Sequence, residues 1–207
     1  MKNSINILED KFYHKGKEYT EEEIRKILKN TESKLRINII SSNLFIKKYY
    51  LLNNKNYEKF IEEKINLDFH EKNNFLFHYE ILKKQNNIYL YAIRSDKFKF
   101  IYKNYKEIDL IPIQFTIIKY IIKKYKKIQN LSIIYKFNNK YDLINIKNKI
   151  IEDFISFDNI DNINLYIEKN IGNNFIIIDK NLQNLKLEKY NCILNLKEEI
   201  YEKIYKV

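Results

Sequence analysis

Residues 111–127 read IPIQFTIIKYIIKKYKK and contain Pro112, the only proline of the 207-residue chain. Beyond Pro112 the apolar residues recur at three- and four-residue spacing, which is the period of an amphipathic helix. The apolar side carries Ile117, Ile118, Ile121, Ile122, Tyr125 and Ile128. The opposite side carries Lys119, Lys123 and Lys126. The stretch therefore predicts a helix that packs on a sheet and turns its lysines to solvent.

The chain is basic, with 38 Lys and Arg against 27 Asp and Glu and a formal net charge of +11. Such a charge raises the expectation of a nucleic acid or an anionic membrane as partner. The chain is also rich in Ile, Asn, Lys, Tyr and Phe but has only two glycines and no tryptophan, the residue set that A/T-rich codons encode. Because the lysines are spread along the chain, a solvated basic surface is favoured over a nucleic-acid footprint.

Hydrophobic residues make up 45% of the chain, including 13 Phe and 18 Tyr, which is enough for a packed core. No stretch approaches the roughly 18–20 uninterrupted apolar residues that a bilayer span needs, and the amino terminus lacks an apolar run of signal-peptide length. The single cysteine, Cys192, lies in an apolar run typical of a buried strand. These features predict a cytoplasmic protein of one domain or two small subdomains.

Strand and helix patterns alternate along the chain, which predicts an α+β (mixed α/β) fold. Thr20 and Glu23 form a capping box that begins a helix, and the β-branched and aromatic runs 75–82 and 87–94 form the clearest hairpin. Other strands are predicted in a hairpin over 4–19, with its turn at Gly16, and at 35–40, 44–52, 131–137, 141–146, 163–168, 174–179, 185–190 and 192–196. Helices are predicted at 21–30, 56–69, 96–108, 147–156 and 196–207, the last capped by Asn195 and Glu198.

The chain lacks the common phosphate-binding loops. Such loops bring backbone amides close to a phosphate, which is why they are rich in glycine. With Gly16 and Gly172 alone, neither a GxxxxGK[ST] loop nor a GxGxxG turn can be written in this sequence. We therefore expect no nucleotide or other cofactor.

Catalytic and metal-binding patterns are also missing. The three histidines are far apart: His14, His70 and His78. This spacing argues against a zinc site, and the alternation around His78 is more typical of an exposed sheet residue than of a ligand or base. Asp158 and Asp161 lie in an Asn-rich turn, where carboxylates form turns and caps more often than cation sites. The sequence predicts no catalytic, cofactor-binding or metal site, and an enzyme built from Asp158, Asp161 or His78 is the third alternative.

Residues 97–106, KFKFIYKNYK, interleave aromatic residues with lysines, an arrangement that can stack bases and hold phosphates. However, the apolar positions of this segment share one helical face, which would turn them toward a core: Phe98, Ile101, Tyr102 and Tyr105. A single-stranded nucleic-acid-binding protein therefore remains the second alternative. Its phosphate contacts would be Lys97, Lys99 and Lys103.

The order of elements over residues 36–127 resembles the PilM and GspL family, the actin-like assembly proteins of type IV pilus and type II secretion machines. In that family a strand with a serine-containing break and a basic residue precedes a helix that ends in phenylalanine. A tyrosine-containing hairpin, an alanine-containing strand leading to a helix and an apolar-Pro-apolar step before a long helix follow. The matching positions are Ser41, Phe45, Lys47, Phe69, Tyr79, Ala92 and Pro112. The resemblance implies actin-like, ribonuclease H-like subdomains with mixed sheets flanked by helices.

The resemblance continues at residues 174–191, which are similar to the strand, aspartate and hairpin that open the second actin-like half. Asp179 takes the aspartate position, but Lys180 and Asn181 follow it where ATP-binding members of the family have x-Gly and then Ser or Thr. The corresponding strand at the amino terminus is expected to be missing. The resemblance thus implies a first half over residues 1–128 with an inserted hairpin-helix subdomain, and a truncated second half over residues 129–207.

The resemblance also implies a function. It is that of a non-catalytic cytoplasmic scaffold on the inner-membrane assembly platform, which binds the cytoplasmic tail of a bitopic membrane protein and joins it to the assembly ATPase. ATP hydrolysis is not expected. A candidate surface for the partner or for the inner face of the membrane is formed by Lys119, Lys123, Lys126 and Lys127. Each lysine beside an anionic leaflet contributes about 1 kcal/mol to membrane binding and needs no pocket.

Overall fold

The structure of the protein is a computed structural model. It describes residues 3–8, 11–28, 34–40, 44–51, 56–96, 99–102, 107–137, 140–172, 174–183, 187 and 190–201. The chain divides into two compact units, one drawn from residues 1–41 and 100–207 and the other from residues 42–99. We call the first the two-sheet unit and the second the inserted unit.

The strands are β1 (Asn3–Leu8), β2 (Lys11–His14), β3 (Lys17–Tyr19), β4 (Leu35–Ile39), β5 (Phe45–Tyr50), β6 (Phe75–Leu82), β7 (Asn87–Arg94), β8 (Ile108–Pro112), β9 (Asn130–Phe137), β10 (Lys140–Lys147), β11 (Ile150–Phe157), β12 (Phe175–Asp179) and β13 (Cys192–Leu194). The helices are α1 (Glu21–Leu28), α2 (Tyr57–Asp68), α3 (Lys99–Tyr102), α4 (Ile113–Lys124) and α5 (Ile160–Tyr166). A wider helical turn, Ile167–Ile171, continues α5, and a closing helical segment spans Lys197–Tyr201. The predicted α+β class is confirmed.

The first sheet of the two-sheet unit has the strand order β3-β2-β1-β4-β8. Strands β1, β2 and β3 form an antiparallel meander, whereas β4 and β8 run parallel to β1. Gly16, with φ of +75°, lies in the turn between β2 and β3, where a positive φ favours glycine. The prediction that the first strand is missing is wrong, because β1 pairs on both sides and buries Ile5 and Ile7.

The second sheet repeats this topology, with the order β11-β10-β9-β12-β13. Strands β9, β10 and β11 are antiparallel, and β12 and β13 run parallel to β9. The sequence shows no internal repeat, because the two sheets share pairing geometry without sharing residues. The boundary after residue 128 precedes β9, and the division into halves stays a prediction.

Two elements of the second sheet differ from the sequence predictions. Residues 147–156, predicted as a helix, belong mainly to β11, because Asn148 and Lys149 have φ of 52° and 68°. Positive φ at both central residues gives the two-residue turn that best matches strand twist, so β10 leads directly into β11. Residues 163–168, predicted as a strand, are helical because Asn159 caps α5 and Ile163, Ile167 and Ile171 recur every fourth residue on its buried side.

Other predictions agree with the structure where it describes the residues. The capping box of α1 is confirmed, since the Thr20 N–H donates to Glu23 Oε2 at 2.8 Å and the Glu23 N–H to Thr20 Oγ1 at 3.4 Å. The Glu198 N–H donates to Asn195 Oδ1 at 3.3 Å at the closing segment. Predicted strand 185–190 falls mostly outside the described residues. Predicted helix 96–108 is described at Asp96, at α3 and at residues 107–108, and Ile108 already belongs to β8.

The inserted unit consists of a sheet of order β5-β7-β6 with α2 packed on one face. The predicted hairpin is confirmed, because β6 and β7 pair without interruption from Phe75 opposite Arg94 to Leu82 opposite Asn87. Under α2 lies a core cluster of Ile61, Phe69, Ile88, Leu90 and Ala92. Over the described ranges, no helix is long and apolar enough to cross a membrane.

Candidate functional site at the carboxyl ends of the parallel strands

In open sheets with parallel strands, ligands bind outside the carboxyl ends of those strands. The two-sheet unit has two such places, one after β1, β4 and β8 and one after β9, β12 and β13. The side chains and turns at these ends therefore decide what the fold can bind.

In each sheet the first strand joins the second through two residues. The strand register leaves only residues 9–10 between β1 and β2, and only residues 138–139 between β9 and β10. These residues are outside the described ranges, and they read Glu-Asp and Asn-Asn, with no glycine. A phosphate site needs several backbone amides turned toward the anion. Neither pair has the glycine-rich sequence that is typical of such loops.

Asp179 ends β12, the fourth strand of the second sheet, and is 1% exposed. Its strand was predicted to come first in the second half, but β12 follows β9, β10 and β11 of the same sheet along the chain and pairs parallel with β9. One carboxylate oxygen, Oδ1, accepts the Leu196 N–H at 3.0 Å, and Oδ2 accepts the Asn181 Nδ2–H at 3.2 Å. Burial raises the pKa of this carboxyl, against the opposing effect of its hydrogen bonds. Asp179 therefore accepts a hydrogen bond from Leu196, the residue just before the closing segment. The neighbouring Lys180 is exposed.

A second buried carboxyl lies in the same sheet. Asp142 on β10 is 9% exposed and lies opposite Tyr135 of β9 and Ser156 of β11. The Ser156 hydroxyl donates to Asp142 Oδ1 at 2.5 Å. Burial raises the pKa of the Asp142 carboxyl, although hydrogen bonds from Ser156 and Tyr135 act in the opposite direction. The row formed by Tyr135, Asp142 and Ser156 was not predicted from the sequence, although alternation in 141–146 places Asp142 on the same side of the strand as two isoleucines.

Asp142→Asn is expected to increase the free energy of unfolding at neutral pH. Burial raises the folded-state pKa of Asp142 above its unfolded value, so between these two pKa values the folded protein binds more protons than the unfolded protein. The free energy of unfolding of the wild type therefore falls as the pH rises through this range, and above the range the whole cost of ionising the buried carboxyl remains. Asparagine keeps an acceptor for Ser156 and removes the titration. Urea unfolding across mildly acid to neutral pH measures the difference.

The matched control for that experiment is Asp158→Asn, a change at an exposed carboxyl. It should leave the free energy of unfolding within about 0.5 kcal/mol of wild type at each pH. A lower stability of Asp142→Asn at neutral pH would contradict the assignment of Asp142 as a buried carboxyl that resists ionisation.

Helix α4 has the two sides that the sequence predicts. Its buried residues are Ile113, Gln114, Ile117, Ile118 and Ile121. The basic surface, defined as Lys119, Lys123, Lys126 and Lys127, is exposed at all four positions. Lys124 differs from these residues, because its ammonium lies 3.6 Å from the Glu199 carboxylate. The role of the basic surface as a partner or membrane contact stays a prediction.

The remaining candidate residues lie on separate elements of the chain. His78 is exposed on β6 and stacks on Tyr91 at 6.0 Å between ring centroids. Asp158 and Asp161 are exposed at the start of α5, and within the described residues no group of His, Cys, Asp and Glu could hold a metal ion. Cys192 is half-buried, with its sulfur 3.0 Å from the Tyr125 hydroxyl.

The segment predicted as an alternative nucleic-acid surface is only partly described. Lys97 and Lys103 lie outside the described residues. The Lys99 ammonium donates to Asn74 Oδ1 at 2.7 Å within the inserted unit. Ile101 is fully buried, as expected for the apolar face of this segment.

The residues that carry the family resemblance lie mainly in the packing of the inserted unit. Phe45 of β5 lies opposite Ala92 of β7, and its ring contacts Phe75 edge-on at 5.6 Å between centroids. Phe69 contacts the same Phe75 ring at 5.3 Å, and the Lys47 ammonium lies 5.9 Å from the Phe69 ring centroid. Ser41 is outside the described residues. Phe45, Lys47, Phe69 and Ala92 therefore contribute to the packing of the inserted unit.

Comparison with solved structures identifies the architecture. A Bacteroides thetaiotaomicron VPI-5482 protein, described as having an actin-like ATPase fold and unknown function, superposes with a TM-score of 0.60. The match covers 98% of this chain and 94% of that protein at 16% identity. The protein has the actin-like fold. The fold implied by the sequence resemblance is confirmed.

Two more distant structures are also similar. The cytoplasmic domain of EpsL, an inner membrane component of the type II secretion system of Vibrio cholerae, has a TM-score of 0.47 and 6% identity, over 85% of this chain and 79% of that domain. A PilM–PilN type IV pilus biogenesis complex has a TM-score of 0.49 and 8% identity, over 75% of this chain and 61% of that chain. No protein-family model and no curated protein sequence matches the chain.

Proposed function

We propose that this actin-like protein is a non-catalytic scaffold of a type IV pilus or type II secretion inner-membrane platform. It binds the cytoplasmic tail of a bitopic membrane protein and joins that protein to the assembly ATPase. It does not hydrolyse ATP, and it works by presenting surfaces to other proteins.

The observation that carries the proposal concerns the residues at the carboxyl ends of the parallel strands in the two five-stranded sheets. The opening hairpins have two connecting residues each and no glycine. The aspartate that resembles a family position is buried and accepts hydrogen bonds from Leu196 and Asn181. An actin-like fold without phosphate loops still has rigid sheets, and their surfaces can bind other proteins. The order of elements over residues 36–127 supports the pilus and secretion assignment.

The charge of the protein supports a location beside an anionic membrane. Lys119 and Lys123 lie on the exposed side of α4, whose opposite side is buried, and Lys126 and Lys127 follow the helix. Lysines near an anionic leaflet attract it through long-range electrostatics without a fitted pocket. The basic surface is therefore assigned to peripheral contact with the inner face of the membrane or with an acidic segment of the partner.

In-cell photocrosslinking tests the proposal. A photoreactive residue in place of Lys123 should form adducts with a bitopic membrane protein of the assembly platform, and a synthetic peptide of that protein's cytoplasmic tail should bind the purified chain. The same residue in place of Lys59, an exposed position on α2, is the matched control. Adducts with nucleic acid and none with a membrane-platform protein would overturn the scaffold and favour the single-stranded nucleic-acid binder.

A further inference from the structure

Strand β6 forms one edge of the three-stranded sheet of the inserted unit. It is eight residues long, FLFHYEIL, and its pairing with β7 has no bulge or register shift. No described strand pairs with its outer side. An edge strand presents a row of backbone donors and acceptors that another strand can use.

The other sheet edges carry features that block such pairing, as natural edge strands do. Strand β5 carries Lys47 and Lys48, β8 ends at Pro112, and the pairing of β11 with β10 has a register shift. Strands β3 and β13 have three residues each. Strand β6 has no lysine, no proline and no irregularity, so its edge is the least protected of the described strands.

The sequence of β6 is close to a palindrome about Tyr79. In an antiparallel pair of identical strands centred on Tyr79, His78 of each copy lies opposite Glu80 of the other, so both symmetric positions join a hydrogen-bond donor to a carboxylate. Phe77 lies opposite Ile81, and Leu76 opposite Leu82. The centre has to be a residue, because opposed side chains in an antiparallel pair point to the same face. Every pair in this register is complementary.

We propose that β6 is a self-association edge, at which two copies of this chain pair antiparallel about Tyr79 and join their inserted sheets into one six-stranded sheet. We infer that the partner strand is a second copy of β6, because the His78–Glu80 pairs form twice only when both strands have the same sequence. Such a contact, in which both copies use the same surface, is isologous. This inference goes beyond the scaffold function and does not depend on it.

The exposure of the β6 side chains fits this contact. Tyr79 is 38% exposed on the face that packs under α2, and the flanking Phe77 and Ile81 are partly buried against the same cluster. On the opposite face His78 is exposed, and the Glu80 carboxylate accepts the Tyr91 hydroxyl at 3.1 Å through one oxygen, Oε2. A second copy would cover Tyr79 and continue the apolar row, and it would offer Glu80 a cross-strand partner.

Sedimentation velocity with charge variants tests the register. His78→Glu sets two carboxylates opposite each other at both symmetric positions, and Glu80→Lys sets a lysine opposite His78. Each variant alone should dimerise about tenfold more weakly than wild type, because His78→Glu opposes like charges at both positions and Glu80→Lys removes both carboxylates that accept from His78. An equimolar mixture should recover the wild-type association, because the heterodimer has opposite charges at one position and the native pair at the other. Glu58→Lys, at an exposed residue of α2, should leave association unchanged.

Disulfide trapping provides a second readout. In a Cys192→Ser background, Tyr79→Cys should form an intermolecular disulfide under mild oxidation, since directly opposed strand residues have Cβ atoms about 4.5–5.5 Å apart. Leu67→Cys, at a residue of α2 that is 67% exposed, should not. A wild-type protein that stays monomeric up to roughly millimolar concentration, or a variant mixture that associates no better than its components, would overturn the proposal.

Discussion

Simultaneous replacement of Lys119, Lys123, Lys126 and Lys127 by alanine is expected to weaken binding to anionic vesicles by up to about a thousandfold. The reason is that each lysine near an anionic surface contributes about 1 kcal/mol, so four of them contribute about 4 kcal/mol. All four are exposed, and alanine is a good helix former, so the fold should persist. Co-sedimentation with vesicles of phosphatidylglycerol and phosphatidylethanolamine at low salt measures the change.

The matched control removes the same charge from the inserted unit. Lys59, Lys72, Lys83 and Lys84 are exposed, and their joint replacement by alanine lowers the net charge equally. This control should weaken vesicle binding only slightly, because those lysines lie away from the basic surface in the sequence and in a different compact unit. Equal losses in both quadruple variants would show that net charge alone controls the binding.

Ile134→Ala is expected to lower the free energy of unfolding by about 2–5 kcal/mol, the range for large-to-small changes in a core. Ile134 is fully buried on β9, opposite Leu143 of β10 and Ile178 of β12. The change removes contacts to both neighbouring strands and to the buried side of α5, and it leaves a cavity in this core cluster. Urea unfolding followed by circular dichroism gives the free energy.

Leu165→Ala is the control for this variant. Leu165 lies on α5 but is 51% exposed, so its truncation should change stability by less than about 1 kcal/mol. If Ile134→Ala were as mild as Leu165→Ala, the second sheet would not carry the packed core that the structure shows.

Elements with a strong local pattern were predictable from the sequence. The hairpin 75–94, the capping box at Thr20 and the two-sided helix after Pro112 each depend on neighbours within a few residues, so period and capping identify them. The helix predicted at 147–156 failed because the two-residue turn at Asn148 and Lys149 commits the chain to a hairpin. Neither residue is glycine, so the turn had no strong signal.

The candidate site was less predictable than the fold. The prediction that glycine-rich phosphate loops are missing needs no structure, because it follows from the glycine content of the sequence. The surroundings of Asp179 could not be predicted in this way. Its hydrogen-bond partners are the Leu196 amide and the Asn181 side chain, and the sequence does not show where its strand lies in the sheet. The Asp142 row depends on the pairing of three strands and becomes visible only when their register is known.

The central claim is our proposal that this actin-like fold has no site for nucleotide phosphates. Isothermal titration with Mg²⁺ and ATP tests it most directly, on the full chain. We expect no saturable binding up to roughly 1 mM ATP, the level at which binding free energy falls to about 4 kcal/mol. Saturable binding at lower concentrations, together with its loss in Asp179→Asn, would contradict the claim.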